Sequence, residues 1–431
     1  MAANHLKRFG QLALAVAIST SSTTASWAED WPNFRGVDRD GISMETGLID
    51  EIPTDGPKLL FTAEGAGHGY GSPAIVGNRM YTLGDNIPDL GTSDEHMCCF
   101  DANTGKRLWA TKTGEAWDDG RPRSWQGSRA TPAVDGDMVY VVTPHGLLIA
   151  AQTSDGTIVW KKHLLDDLGG KKGDSWGYSE SPLIDGKHLI CTPGGPDATV
   201  VALDKQTGEK IWTCKRHNCK GAGHASVVIS QVGDRKVYVQ NTCVGPMGID
   251  SATGELLWEY PFDKPTAFIP TPIIDGNEVY SVAGYNSGGA LLKQVASGSG
   301  VEIEEIYGIN RELHNKHGGV VLIDGHLYFG KQDQPIIMCA ELQSGETVWK
   351  QRGEGSRSTA ISAADGKLFA RYQTGELEMI KATPDGFKSL GVFKVPGSGD
   401  GDKPSWAHPV ISKKRLYLRE SNAILVYDLA Q

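Results

Sequence analysis

Asp204-Lys-Gln-Thr-Gly208-Glu-Lys-Ile-Trp212 is one copy of a phrase that recurs along the chain. Asp101-Ala-Asn-Thr-Gly105-Lys-Arg-Leu-Trp109 and Asp250-Ser-Ala-Thr-Gly254-Glu-Leu-Leu-Trp258 are further copies. Looser copies end Asp155-Gly156-Thr-Ile-Val-Trp160 and Ser344-Gly345-Glu-Thr-Val-Trp349. In each, the Trp follows the Gly by four residues. Asp and Thr side chains bond back to the backbone and Gly supplies a positive φ, so the phrase predicts a tight turn between antiparallel strands. The Trp then lies on the outgoing strand, where its flat ring fills the wedge between neighbouring sheets. Recurrence at roughly fifty-residue intervals signals a repeat architecture.

A second phrase precedes each turn: a small or hydroxyl residue, Pro, an apolar pair, then Asp-Gly or Gly-Asn. It appears as Ser72-Pro73-Ala-Ile-Val-Gly77-Asn78, Thr131-Pro132-Ala-Val-Asp135-Gly136, Ser181-Pro182-Leu-Ile-Asp185-Gly186 and Thr271-Pro272-Ile-Ile-Asp275-Gly276. Weaker versions start at Ser226, Gly319, Thr359 and His408. Asp-Gly between apolar runs marks a hairpin. Eight hairpins, each followed by a strand pair around a Trp turn, predict an all-β, eight-bladed β-propeller with four antiparallel strands per blade. The last unit lacks its outermost strand. Lys58-Leu-Leu-Phe61 supplies it, with Phe61 in the place of the Trp, so the N- and C-terminal strands close the ring. Trp31-Pro-Asn-Phe34-Arg35-Gly36 is expected across this junction. The fifth and seventh units, near Tyr307 and Phe387, have lost the strict turn.

The chain has 431 residues and 54 glycines, and long helical periodicity is absent. Lys7 and Arg8, the apolar run Leu12 to Ile18, and Ser26-Trp-Ala28 read as a signal peptide over residues 1–28, leaving 29–431 as one propeller domain. No later stretch is long and apolar enough for a membrane span. Losing residues 1–28 removes two basic and no acidic residues and moves the formal charge from -10 to -12, which argues against a nucleic-acid partner. The expected location is periplasmic or secreted. No Cys precedes Cys98, so no lipid-anchoring Cys is expected at the cleavage site.

These phrases resemble the repeat of the PQQ-like β-propellers, the quinoprotein alcohol dehydrogenase-like superfamily. The opening Trp31-Pro-Asn-Phe34-Arg35-Gly36 is similar to that of secreted bacterial members. The resemblance covers nearly all of the mature chain and implies the fold. It leaves the chemistry open, because the superfamily holds PQQ enzymes and cofactor-free scaffolds alike, such as the propeller of the outer-membrane protein assembly machinery.

In a propeller, functional residues gather where the innermost strands begin. The residue three before each Pro-equivalent is Tyr70, Arg129, Ser179, His224, Ile269, His317, Arg357 or Trp406. The residue two before is Gly71, Ala130, Glu180, Ala225, Pro270, Gly318, Ser358 or Ala407. One register is large and mostly polar and the other mostly small; strand alternation sends them to opposite faces. Tyr70, Arg129, Ser179, His224, His317, Arg357 and Trp406 are therefore the expected ligand-binding ring at the channel mouth. Two Arg and two His make it cationic, suited to a carboxylate or phosphate. The plainer alternative is that these side chains bond loop carbonyls and water in a solvated funnel. Trp125 or Trp176 offers a further surface for a flat ligand.

The PQQ enzymes carry an adjacent-Cys disulfide against the cofactor. Here Cys98-Cys99 falls on an outer strand, no Asp occupies the large register, and no Glu/Asn/Asp group stands out for Ca²⁺. Cys99 shares a small-residue slot with Ala150, Ala202, Gly248 and Cys339, six residues before each turn Gly. Cys214-x-x-His217-x-Cys219-x4-His224 has ligand types for zinc without a standard knuckle spacing, and Cys214 with Cys219 is close enough for a short disulfide. No paired carboxylates or nucleophile arrangement is legible for hydrolysis. The insertions Asn86–His96, Glu115–Gly127 and Leu164–Gly177 are long for hairpin loops, and such loops carry binding function. The reading is a non-catalytic binding or scaffold module for a protein partner or small anionic ligand, with no cofactor and no metal. The alternative is a PQQ- and Ca²⁺-dependent dehydrogenase.

Overall fold

Each Asp-x-x-Thr-Gly phrase closes its turn as its residue types require. Asp101 Oδ1 accepts from the Asn103 and Thr104 amides at 2.9 and 2.8 Å, and Gly105 (φ 72°) takes the left-handed position. Asp204 and Asp250 do the same at their turns. The computed structural model describes residues 30–118, 125–263, 265–298, 300–399 and 403–431. The expected signal peptide lies outside the described residues. Among those described, eight antiparallel sheets of four strands form the ring, and one gains a fifth short strand. No helix among them is long and apolar enough to cross a membrane.

Blade 1 runs through Ala74–Val76, Arg79–Gly84, Glu95–Asp101 and Arg107–Gly114, from the channel outward. Blade 8 combines the C-terminal Val410–Ser412, Arg415–Glu420 and Ala423–Asp428 with the N-terminal Leu59–Glu64. Phe61 pairs opposite Val426 and Glu64 opposite Ala423, so the two ends of the chain close one sheet. The outer strands of the divergent fifth and seventh blades are Gly300–Asn310 and Ser389–Lys394.

The Trp side chains lock blade to blade. The Trp109, Trp160 and Trp212 indoles donate to the backbone carbonyls of Thr153, Lys205 and Ser251, in the next blade's turn, at 3.2, 3.1 and 3.2 Å. Each ring lies where a Cβ on that turn's Gly would be. At Gly254 an added Cβ would stand 2.5 Å from the Trp212 ring. Phe61 occupies the same place against Gly105, and Tyr307 against Gly345. The small slot is explained from the other side: Cys99, Ala150, Ala202, Gly248 and Cys339 pair directly opposite the five Trp residues.

The channel is filled by the chain itself. Asp30 accepts from Gly77 at the blade 1 hairpin turn, and Trp31 pairs with Ile75. Val134 of blade 2 then donates to the Pro32 carbonyl at 2.8 Å. The chain turns over at residues 33–41. It descends with Ile42–Ser43 parallel to Thr359–Ala364 of blade 7 and leaves where Leu48 donates to Asp365 and Lys413 to Glu45. Trp31 sits in the blade 8–blade 1 cluster, as expected. Phe34 and Arg35 do not stay at that junction. Arg39 donates to the carbonyls of Ser181 (2.9 Å), Pro182 and Val227 in blades 3 and 4, and Arg35 to Val320 in blade 6. Their guanidinium groups supply donors for carbonyls at the free inner edges of the sheets, a need that outweighs a position at the seam.

If the Trp–Gly contact locks the blades, Trp212→Ala costs about 3–5 kcal/mol as a cavity and Gly254→Ala about 1–3 kcal/mol as a clash in a left-handed turn. The double variant should lose less than the sum, because the new methyl no longer meets the ring. Denaturant titration of the four proteins checks this, and strict additivity would refute the contact.

Candidate functional site

The register with large residues stays on the channel side because its small neighbour faces the next blade. A Cβ on Gly71 would stand 2.3 Å from the Ala130 carbonyl, and one on Gly318 1.7 Å from that of Thr359. Tyr70, Arg129, Ser179, His224, Ile269, His317, Arg357 and Trp406 all line one cavity of about 500 Å³ at the mouth. Its floor includes Phe34 and Arg35 from the tip of the inserted N-terminal segment. Glu180, in the small register, is instead buried between strands, accepts from Thr192 and is pushed up to about 7 by burial.

Aromatic rings form one wall. Trp406 packs against Tyr70, Trp125 and His317 with centroids 5.1, 4.9 and 5.0 Å away, and its indole donates to Gln373 at 3.1 Å. Loops supply what the register does not. The long connections ending at Gly127 and Gly177 deliver Trp125 and Trp176, while the 86–96 insertion contributes nothing to the lining. Tyr285, Lys316 and Asp333 come from blades 5 and 6. Arg35, Trp125, Tyr285 and Arg357 all hold positive φ (68°, 55°, 57° and 64°). Backbone strain of this kind concentrates at functional sites.

The charge differs from the expectation. Burial drives His224 down to about 4 and His317 well below its usual range, so both rings are neutral at pH 7. The expected cationic ring therefore rests on arginine. Arg129 lies 5.5 Å over the Tyr70 ring and donates to the Trp125 carbonyl. Arg357 is exposed and makes no ion pair among the described residues. Lys316 also lines the cavity but is held by Asp333 at 2.8 Å.

Ser179 and His224 are adjacent in this ring and bonded. Ser179 Oγ lies 2.7 Å from His224 Nδ1, and His224 Nε2 lies 2.8 Å from Asp174 Oδ2. Asp174 arrives on the 164–177 connection with Lys172, whose ammonium is 3.6 Å from it. Burial would raise the Asp174 carboxyl, but the His224 ring and the Lys172 ammonium outweigh burial and hold it below the usual carboxylate range. A hydrogen-bonded Ser179–His224–Asp174 chain is thus present that no sequence spacing marked, because its third member comes from a loop with no fixed spacing to the others.

The zinc-type constellation does not assemble. Cys214 is buried in an apolar cluster, Cys219 shares a hydrogen bond with Cys243, and His224 is engaged as above. Among the described residues no group of three or more His, Cys, Asp or Glu is placed to hold a metal. Cys98 and Cys99 point into separate cores on either face of their strand, and neither lines the cavity.

The family model described as outer membrane protein assembly factor BamB matches residues 93–351. The BamB protein of Bordetella pertussis is 24% identical over 381 residues, 82% of this chain and 88% of that protein. A quinoprotein ethanol dehydrogenase of Pseudomonas aeruginosa is 28% identical over 220 residues, 46% of this chain and 34% of the enzyme. Among solved structures, BamB from Moraxella catarrhalis aligns with TM-score 0.57 at 12% identity, covering 86% of this chain and 97% of that one. The quinohemoprotein alcohol dehydrogenase of Comamonas testosteroni aligns with TM-score 0.63 at 12% identity, covering 93% and 80%. At such identity the structural likeness shows the fold alone.

The His224 ring should stay neutral until pH falls toward about 4, as an NMR titration of the imidazole will read. The unfolded chain protonates this group near 6.5, so folding loses stability as pH drops from about 6.5 to about 4. His224→Gln should flatten that part of the stability curve; an ordinary midpoint near 6.5 would refute the assignment.

Proposed function

Because the chain belongs to the family described as outer membrane protein assembly factor BamB, we propose that it is an exported propeller that works by binding, a scaffold whose mouth cavity takes an anionic group presented by a protein partner. One observation carries the reading: a residue from each of the eight blades converges on a single cavity floored by the chain's own N-terminal segment. Such a cup has aromatic walls for a flat or apolar side chain and arginines for a carboxylate. The basic and then apolar start of the chain supports export, and relatives named as outer membrane assembly factors fit it.

The likeness to quinoprotein dehydrogenases raises the second reading. It is disfavoured by this chain's donors: the adjacent cysteines lie in blade cores away from the cavity, and its lining carboxylate, Asp333, is tied to Lys316. We therefore read the propeller as independent of PQQ. Reconstitution with PQQ and Ca²⁺ should give no dye reduction with an alcohol; turnover would favour the dehydrogenase.

Calorimetry with citrate and with an acidic, Trp-containing hexapeptide tests the binding reading. Truncating Arg129 and Arg357 together should weaken binding at least tenfold, about 1.4 kcal/mol, and the loss should shrink as salt rises. Unchanged binding would dismiss the arginines as the anion site.

A further inference from the structure

We propose that Ser179 is a nucleophile and that, with His224 as base and Asp174 as its positioning residue, it forms an acyl-transfer site in the wall of the mouth cavity, acting on small carboxylic esters. The proposal rests on the reading that this cavity admits ligands and goes beyond binding.

Three segments far apart in sequence meet here. Ser179 and His224 hold equivalent positions before the inner strands of blades 3 and 4, and Asp174 reaches in from the connection between blades 2 and 3. The bonding pattern fixes the tautomer. A carboxylate only accepts, so Nε2 carries the proton that Asp174 receives, at 2.8 Å. Nδ1 is then a lone pair, and the 2.7 Å contact is Ser179 O–H donating to it. That is the relation of a nucleophile to its general base, with a third group orienting the base. The ring nitrogens are used in the opposite sense to the familiar serine hydrolases, which the chemistry permits because either nitrogen can accept.

The surroundings suit the reaction. The side chains of His224 and Asp174 are 7% and 12% exposed, so their bond is shielded from water, while Ser179 and His224 both line the cavity. Trp176 lies 6.4 Å from the His224 ring and offers a face to an acyl or leaving group. Lys172 and Arg129 both act electrostatically on His224; Arg129 also lines the cavity and lends its wall positive charge, while Lys172 sits behind the ring beside Asp174. Lys172 is anchored by the carbonyls of Ala222 and Gly223 at 3.3 and 3.2 Å.

In the reaction, Ser179 Oγ bonds to the ester carbonyl carbon and its proton passes to His224 Nδ1. The carbon–oxygen bond to the alcohol breaks, and the alcohol leaves with that proton. Water then attacks the acyl-Ser179, gives a proton to His224, and releases the acid as Ser179 regains its hydrogen. No oxidant, metal or co-substrate other than water enters. A cavity of about 500 Å³ limits the substrate to a small ester.

The test treats the whole protein with a fluorophosphonate probe, which phosphonylates Ser179 with loss of fluoride, and maps the adduct by mass spectrometry. Hydrolysis of 4-nitrophenyl acetate is followed in parallel. Ser179 should carry the adduct, Ser179→Ala should lose it, and His224→Gln should slow labelling at least tenfold. Asp174→Asn should slow it while circular dichroism stays unchanged. The wild-type labelling rate should hold level from pH 8 down to about 5 and fall only as His224 charges near 4, a profile that a loop-stapling hydrogen bond would not produce. An unlabelled Ser179 in the wild-type protein, or labelling indifferent to His224→Gln, overturns the proposal even if the variants misfold, because the wild-type map and pH profile stand alone. Loss of carboxylate binding with labelling intact would sink the ligand reading only; binding with Ser179 unlabelled would sink this one only.

Discussion

The inner edge of every blade is a strand edge with unpaired N–H and C=O groups, and a ring of eight brings these edges together around one channel. A buried backbone group left without a partner costs about 1–3 kcal/mol, so the channel must hold water, a ligand or protein. This chain uses its own residues 30–48. Main-chain pairing at Trp31–Ile75 and Ile42–Ala363 serves blades 1 and 7, and the guanidinium groups of Arg35 and Arg39 reach carbonyls of blades 3, 4 and 6. Arginine suits the task because its planar fork presents several fixed donors. Gly319 makes room for it: an added Cβ there would stand 1.9 Å from Arg35.

That filling shapes everything above it. With the tip of the segment in the channel, the mouth becomes a closed-bottomed cup, and the residues just before the inner strands become its walls. The same segment continues into Leu59–Glu64, the strand that completes blade 8. Sealing the channel and closing the ring are thus consecutive acts of one stretch of chain. The frame is rigid where Trp locks repeat, and the side chains aimed into the cup sit on loops held in sparsely populated backbone conformations, as at Trp125, Tyr285 and Arg357.

The repeat was legible because it is local. Asp, Thr, Gly and Trp must keep their spacing to make the turn and fill the wedge, so blade number and the part played by Phe61 could be read from residues alone. The register of the mouth was legible for the same reason, since alternation separates Tyr70 from Gly71 and Arg129 from Ala130. The channel filling was not, because side chain to main chain bonds from Arg35 and Arg39 leave no periodicity. The charge state was also hidden: burial first, and neighbouring cationic groups second, hold His224 and His317 neutral well below the pH at which a free imidazole would charge. Asp174 escaped because its partners depend on how a fourteen-residue insertion, 164–177, folds back over the mouth.

Residues 30–43 are bonded into the channel rather than laid over its opening, and the cup above them exists only if they are. Hydrogen–deuterium exchange read by mass spectrometry addresses this directly. Peptides covering 30–43 should exchange as slowly as the inner strands of blades 1 and 7, opening only with global unfolding. Complete exchange of that segment within seconds, while the blades remain protected, would contradict it.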